Sequence, residues 1–377
     1  MDLSLSEEQQ QIVDSAEGFL AQASAMPAVR AASESTSGVD LALWRGMAEL
    51  GWCGVHLPED AGGLGLGLVE LVLLQEQLGR RLACVPFFDS VALASNLLRE
   101  LPEHPVSADW LGQVASGEAT ASLAWPPVPS GERAHAVSSE SGWVLNGVWP
   151  QVGSAASADV LLLPAHDDHG TQHLFLLKTD TPGLQVQPLE TMDTTRRLAR
   201  VVCDNVVLPT SHCIADGLVL AKALDRTQQL AAIALAGEQV GVAQQCLDLT
   251  LAYTAQRHQF DRAIASFQAV KHRCAQMLVA VESARSAVYG AAAVADASPD
   301  PSRLLLHAAQ ARVAATEASQ FCAREAIQLH GGVGFTWEFD PHLYLRRAQA
   351  SSQRLGPLSD WLERAAAVWL DAPETIA

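Results

Sequence analysis

The sequence predicts a mainly α-helical protein with a central β-domain. It is laid out as an N-terminal α-helical domain (1–115), a small antiparallel β-domain (116–212) and a C-terminal four-helix-bundle domain (213–377). Three observations carry that expectation. Apolar residues recur at helical spacing in the first block. Near Thr120 the chain changes to short β-rich runs separated by Pro, Gly, Asn and Asp, the texture of strands and turns. Beyond Gly217 it returns to long, alanine-rich periodic stretches joined by short links, as in an antiparallel bundle.

The elements follow in order. Residues 4–23 read as a helix, opened by a capping box of Ser6 and Gln9, with Ile12, Ala16, Phe19 and Leu20 on one face. A second helix at 39–50 groups Leu41, Trp44, Met47 and Leu50. A Gly- and Pro-rich loop then feeds an apolar helix over 68–82, and "PFFDSVALASNLLREL" gives another. In the middle block the runs "TASLAW", "DVLLLPA", "HLFLLK" and "RLARVVCDNVVLP" read as strands, with Asn146–Gly147 as a turn between two of them. Long helices are expected over 217–257, 265–296, 302–330 and 356–370, with "ADASPDPS" as the main interhelical break.

Composition narrows the function. Of 377 residues, 49% are hydrophobic and 18% charged, which suits a well-packed globular chain. The formal charge of −18 comes without any Lys/Arg run, which argues against nucleic acid or an anionic membrane as partner. Seven dispersed cysteines with no C-x-x-C pair read as reduced thiols rather than a zinc or disulfide set. The acidic start "MDLSLSEEQQQIV" lacks the features of a signal peptide, and no apolar stretch is expected to reach membrane-span length, so a cytoplasmic location is expected.

Two segments carry the chemistry. In "AIQLHGGVGFTWEF" a helix ends on Gly331 and Gly332, which tolerate positive φ and let a ligand approach the bare backbone. In "AYTAQRHQFDRAIASFQAV" Arg257 is a permanently charged, forked donor suited to phosphate. The spacing R-x-x-F (Arg257, Phe260), then Q-x-x-G-G (Gln328, Gly331, Gly332) about 70 residues later, resembles the acyl-CoA dehydrogenase family. So do "LGWCGVHLPEDAGGLGLG", "EQLGR" and "GEQVGVAQQ".

The resemblance covers essentially the whole chain. It implies an acyl-CoA substrate, an FAD cofactor and electron-transfer flavoprotein as electron acceptor. It also implies that Arg257, Phe260, Gln268, Gln328, Gly331 and Gly332 meet the adenosine–pyrophosphate end of an FAD seated in a neighbouring subunit.

Family chemistry removes an α-proton with a carboxylate and passes a β-hydride to flavin. In most members the base is the Glu of a "Y-E-G" loop. Registering "RRAQASSQRLGP" on that loop places Leu355 at the base and Gly356 at the glycine. A minority carry the Glu on the first long bundle helix, and that position falls at Ala231. Neither residue accepts a proton.

The "T-E-P-G-A-G-S" flavin loop is replaced by "LAWPPVPSGERA", with Trp125 and Pro126 near the expected Thr and Glu. Gln151 and Gly153 stand where the Trp and Thr of a "W-I-T-N" run are expected. The chain is therefore similar to the base-lacking subunit of heterotetrameric (α₂β₂) bacterial acyl-CoA dehydrogenases, including those acting on steroid side chains. Its implied partner is a base-bearing subunit that shares the FAD.

Glu238, two turns beyond Ala231, and His258 are candidate replacement bases, better read as a structural acid and a phosphate-facing or exposed histidine. Cys274 and Cys322 read as core residues, and His342 and Tyr344 as candidate interface residues. Two alternatives remain open: a self-sufficient flavoenzyme with a relocated base or other flavin chemistry, and a flavin-free scaffold or binding protein.

Overall fold

The structure, a computed structural model, describes residues 4–125, 134–139, 142–297 and 300–371. It is mostly helical with a central mixed sheet. Packing divides the chain into two compact units: one of residues 1–31, 68–83 and 232–377, the other of 32–67 and 84–231.

The helical unit contains α1 (Glu7–Ala23), α4 (Leu68–Arg80), most of α7 (Gly217–Gln256), α8 (Gln268–Asp296), α9 (Pro301–His330), α10 (Pro341–Gln353) and α11 (Leu358–Asp371). The start of α1 is the expected capping box: Ser6 Oγ accepts from the Gln9 N–H at 3.1 Å, and the Gln9 side chain accepts from the Ser6 N–H at 3.0 Å. α9 packs against α8, α10 and α11, and α4 against α1 and α8.

Glycines let α4 and α7 touch backbone to backbone. A Cβ at Gly79 would lie 2.1 Å from the Glu238 carbonyl oxygen, and one at Gly241 would lie 1.9 Å from that of Glu76. The "EQLGR" and "GEQVG" runs are thus two halves of one contact. From the same stretch of α4, Glu76 accepts from Arg285 at 3.0 Å and from Tyr289 at 2.8 Å, both on α8. Contrary to the sequence expectation, α8 is long and apolar enough to cross a membrane by length and composition. It packs here as a bundle helix.

The second unit holds α3 (Leu41–Glu49), a π-helical turn at Phe88–Ala94, α5 (Ser95–Glu100) and α6 (Pro105–Ser116), followed by the sheet. α2 (Met26–Glu34) straddles the division. The strands are β1 (Ala121–Leu123), β2 (His135–Ser139), β3 (Gly142–Gly153), β4 (Val160–His166), β5 (Gln172–Lys178), β6 (Leu184–Pro188), β7 (Leu198–Pro209) and β8 (Cys213–Asp216). They run in the order β6-β7-β3-β2-β4-β5-β8, with β1 paired to β4. Leu145, Trp149, Phe175, Leu177, Val201 and Val206 fill its core.

Three expectations need correction. The sheet is not purely antiparallel, because β4 pairs in parallel with both β1 and β2. Asn146–Gly147 is not a turn. It is a bulge inside β3, where Gly147 has φ 155° and Asn146 Oδ1 accepts from the Asn205 N–H at 2.7 Å. His342 and Tyr344 are not available to another chain: both are buried, and the Tyr344 hydroxyl donates to the Arg80 carbonyl at 2.7 Å.

Candidate functional site

Five helical and loop segments converge at one end of the helical unit. α7 stops at Gln256, and a two-stranded hairpin follows: β9 (His258–Gln259) and β10 (Arg262–Ala263). Its turn residues, Phe260 and Asp261, have φ of 55° and 60°, the left-handed pair of a tight hairpin. Phe260 is left 86% exposed, with its ring edge on Phe267. α8 begins at Gln268, beside the end of α9, where Arg273 pairs with Glu325 at 3.1 Å.

α9 ends at His330, whose ring stacks on Tyr253 of α7 with centroids 4.4 Å apart. Burial lowers the pKa of His330, so it packs as a neutral ring whose Nδ1–H donates to the Ala326 carbonyl. These contacts bring Arg257, Gln268, Gln328 and Gly331 to the same end of the helical unit.

All six expected cofactor residues are exposed in the isolated chain. Gly331 takes φ 66°; Gly332 does not adopt positive φ. A Cβ on either would meet nothing within 4 Å, so the turn presents open backbone at the same end as Arg257. This donor set fits a diphosphate. His258 is exposed, with Nδ1 on the Gln256 carbonyl at 3.0 Å.

The two positions expected from the sequence for a base are apolar and closed. Ala231 is fully buried in α7, and Leu355 is 5% exposed. Leu355 has φ 59° and is followed by Gly356 at 93°, a conformation that costs leucine roughly 1–2 kcal/mol. Its surroundings impose it. The Leu355 carbonyl accepts from Trp361 Nε1 at 3.1 Å. The buried Arg312 guanidinium donates to the carbonyls of Ser351, Ser352 and Arg354 at 2.9, 3.1 and 2.8 Å. Burial, with the charge of Arg354, lowers the Arg312 pKa to about 10, which still leaves it charged at neutral pH. Sequence reasoning missed this grip; the one signal was a lone arginine within "HAAQARVAATEA".

Other acids nearby are committed elsewhere. Asp360, the nearest in the loop, is exposed in the first turn of α11 and takes a bond from Ser359. Glu238 is 3% exposed and accepts from Arg347 and Ser351 at 3.3 Å each, as a structural acid.

In the segments of the second unit expected at the flavin ring, polar groups are already bonded within the chain. Gln151 is exposed. The Gly153 carbonyl is taken by Ser122 Oγ at 2.5 Å, and Ser154 Oγ donates to buried Asp89 at 2.6 Å. Asp89, in the π-helical turn, is a second residue the sequence reading missed; an acid inside "PFFDSVALA" was its only trace. Trp125 is described, but Pro126 and the rest of that loop to Arg133 lie outside the described residues.

Comparison with known proteins gives one consistent result. Residues 6–118 match the acyl-CoA dehydrogenase N-terminal domain and residues 222–357 the C-terminal domain. Acyl-CoA dehydrogenase IpdE2 of Mycobacterium tuberculosis is 34% identical over 95% of this chain and 96% of its own. The ChsE4–ChsE5 complex from Mycobacterium tuberculosis contains a chain that superposes with a TM-score of 0.89 at 28% identity, covering 100% of both chains. A chain from a variant of the Tcur3481–Tcur3483 steroid acyl-CoA dehydrogenase gives 0.87 at 30%, covering 98% of this chain and 99% of that one.

Proposed function

Because this chain belongs to the acyl-CoA dehydrogenase family of FAD-dependent oxidoreductases, we propose that it is the base-lacking subunit of a heteromeric acyl-CoA dehydrogenase. It completes the FAD site of a base-bearing partner subunit in the cytoplasm. The observation that carries this reading is Leu355: the loop is held in place by Arg312 and Trp361, yet its side chain cannot accept a proton.

In the complex, FAD supplies the hydride acceptor for the β-carbon of the acyl thioester. The work of this chain is to bind. Arg257 places two N–H donors on a phosphate, Gln268 and Gln328 hydrogen-bond the adenosine end, and the Gly331–Gly332 turn admits the cofactor against the backbone. Phe260, on its hairpin, reaches the neighbouring chain. Neither Leu355 nor Ala231 accepts a proton, so the α-proton leaves through the partner's carboxylate. An α₂β₂ assembly, electron-transfer flavoprotein as acceptor and a steroid side-chain thioester as substrate complete the proposal. The heteromeric ChsE4–ChsE5 structure and the steroid enzyme among the similar chains support it.

Expression of this chain alone and with a base-bearing family member tests the proposal. A colourless or aggregated lone chain that becomes a yellow, active complex is the expected outcome. A second reading, a self-sufficient enzyme with a relocated base, is favoured only by buried Asp89 beside the altered flavin segment. A yellow lone chain whose turnover is lost in Asp89→Asn would establish that reading instead.

A further inference from the structure

At the end of the β-domain core, outside every residue assigned above, a thiol, an imidazole and a carboxylate stand in line. Cys213 opens β8 with its Sγ 3.7 Å from Nδ1 of His173 on the paired strand β5. The other ring nitrogen, Nε2, lies 3.2 Å from Oδ2 of Asp167. Asp167 is itself fixed, because the backbone N–H groups of His169 and Thr171 donate to its other oxygen at 2.9 and 2.8 Å.

With Asp167 accepting, Nε2 carries the ring proton and Nδ1 turns its lone pair to the thiol. Trp143, 4.6 Å from the imidazole centroid, and Phe175 wall the ring. Asp216 Oδ2 sits 3.9 Å from Nδ1 and adds a second carboxylate beside any imidazolium that forms. Burial, then the Asp216 charge, pushes the Cys213 thiol up to about 11. At neutral pH it is therefore protonated and reacts only if its proton is removed as it attacks.

We propose that Cys213, His173 and Asp167 form an acyl-accepting site, in which Cys213 takes an acyl group from an acyl thioester. The Sγ attacks the thioester carbonyl carbon and the new S–C bond forms. The donor's C–S bond breaks, and the Cys213 proton passes through His173 Nδ1 to the departing thiolate. The products are S-acyl-Cys213 and a free thiol, and no redox partner takes part. Asp167 is a positioning residue that sets the tautomer. The donor class is the one named by the chain's own family, acyl-CoA. Cys213 is partly exposed.

The test uses the full chain with acetyl-CoA, and adducts are located by peptide mass spectrometry. Cys213 is expected to be acetylated about tenfold or more faster than Cys274, the other partly exposed cysteine. His173→Gln should slow acetylation about a hundredfold, the usual contribution of a general base, at an unchanged melting temperature.

Rate against pH gives a readout that a structural role would not move. The groups facing His173 are Asp167, Asp216 and Cys213. In His173→Gln the rate follows ionisation of the thiol, pushed up to about 11, and climbs into alkaline solution; in the wild type it does not wait on prior ionisation of that thiol. Should His173→Gln unfold, Asp167→Asn and the Cys213-to-Cys274 ratio carry the test. No acetyl on Cys213, a rate equal to that of Cys274, or equal rates with and without the imidazole would overturn the site. None of these outcomes touches the dehydrogenase reading, which is scored by flavin in the complex.

Discussion

Leu355 is an apolar side chain on a backbone held in an unusual conformation. Its left-handed φ is maintained against leucine's own preference by Arg312 and Trp361. Leu355→Glu in the lone chain is therefore expected to yield no turnover with an acyl-CoA, since Gln151 and Gly153 still leave the ring side unfurnished. Arg257→Ala should act in the complex instead. Loss of charge-assisted bonds worth about 1.5–3 kcal/mol should loosen FAD about ten- to a hundredfold, measured as flavin retained after gel filtration.

His56 gives a pH-dependent counterpart. Its ring is buried, and burial, then the Arg99 charge, lowers its pKa from 6.5 to about 3 against the opposing pull of a side-chain hydrogen bond with Asn96. A depressed folded-state pKa means that the unfolded chain binds the extra proton. The stability from neutral His56 is thus complete above pH 6.5 and drains away as pH falls toward 3, by up to about 1.4 kcal/mol per pH unit. Urea titrations across that window should show the slope, and His56→Gln should flatten it.

Among elements, the α4–α7 contact explains why two glycine-bearing runs far apart in sequence both looked significant. Gly79 and Gly241 each sit where a Cβ would collide with the opposite backbone. Glu238, beside that contact, separates a structural acid from a catalytic one. Its carboxylate and Arg347 are buried together, at 4% and 3% side-chain exposure. Glu238→Ala should cost the chain about 3–5 kcal/mol in denaturant melts, while turnover per bound flavin in the complex stays unchanged.

The long helices were legible because their alanine-rich periodicity runs over many turns; α7, α8 and α9 end within a few residues of where that pattern stops. The sheet was less so. Strand direction depends on which partner a strand finds, and neither the parallel pairs of β4 nor the bulge at Asn146–Gly147 is written in local composition. The short helices α2, α6 and α10 also escaped, each too brief for periodicity to separate it from loop.

At the scale of the whole molecule, the binding end and the empty base positions point the same way. The motif residues proposed to meet a diphosphate are exposed and open, while Leu355 and Ala231 are closed and apolar. The sequence revealed this asymmetry because both halves rest on local motifs with fixed spacing. What holds the empty loop rigid was hidden, since Arg312 reaches it from 39 to 42 residues away along the chain.

The most direct measurement follows the flavin absorbance of the purified lone chain, supplied with FAD, on addition of an acyl-CoA substrate of the complex. The flavin should stay oxidised without the partner and bleach once a base-bearing subunit is present. Bleaching by the lone chain at the rate of the complex would contradict the account.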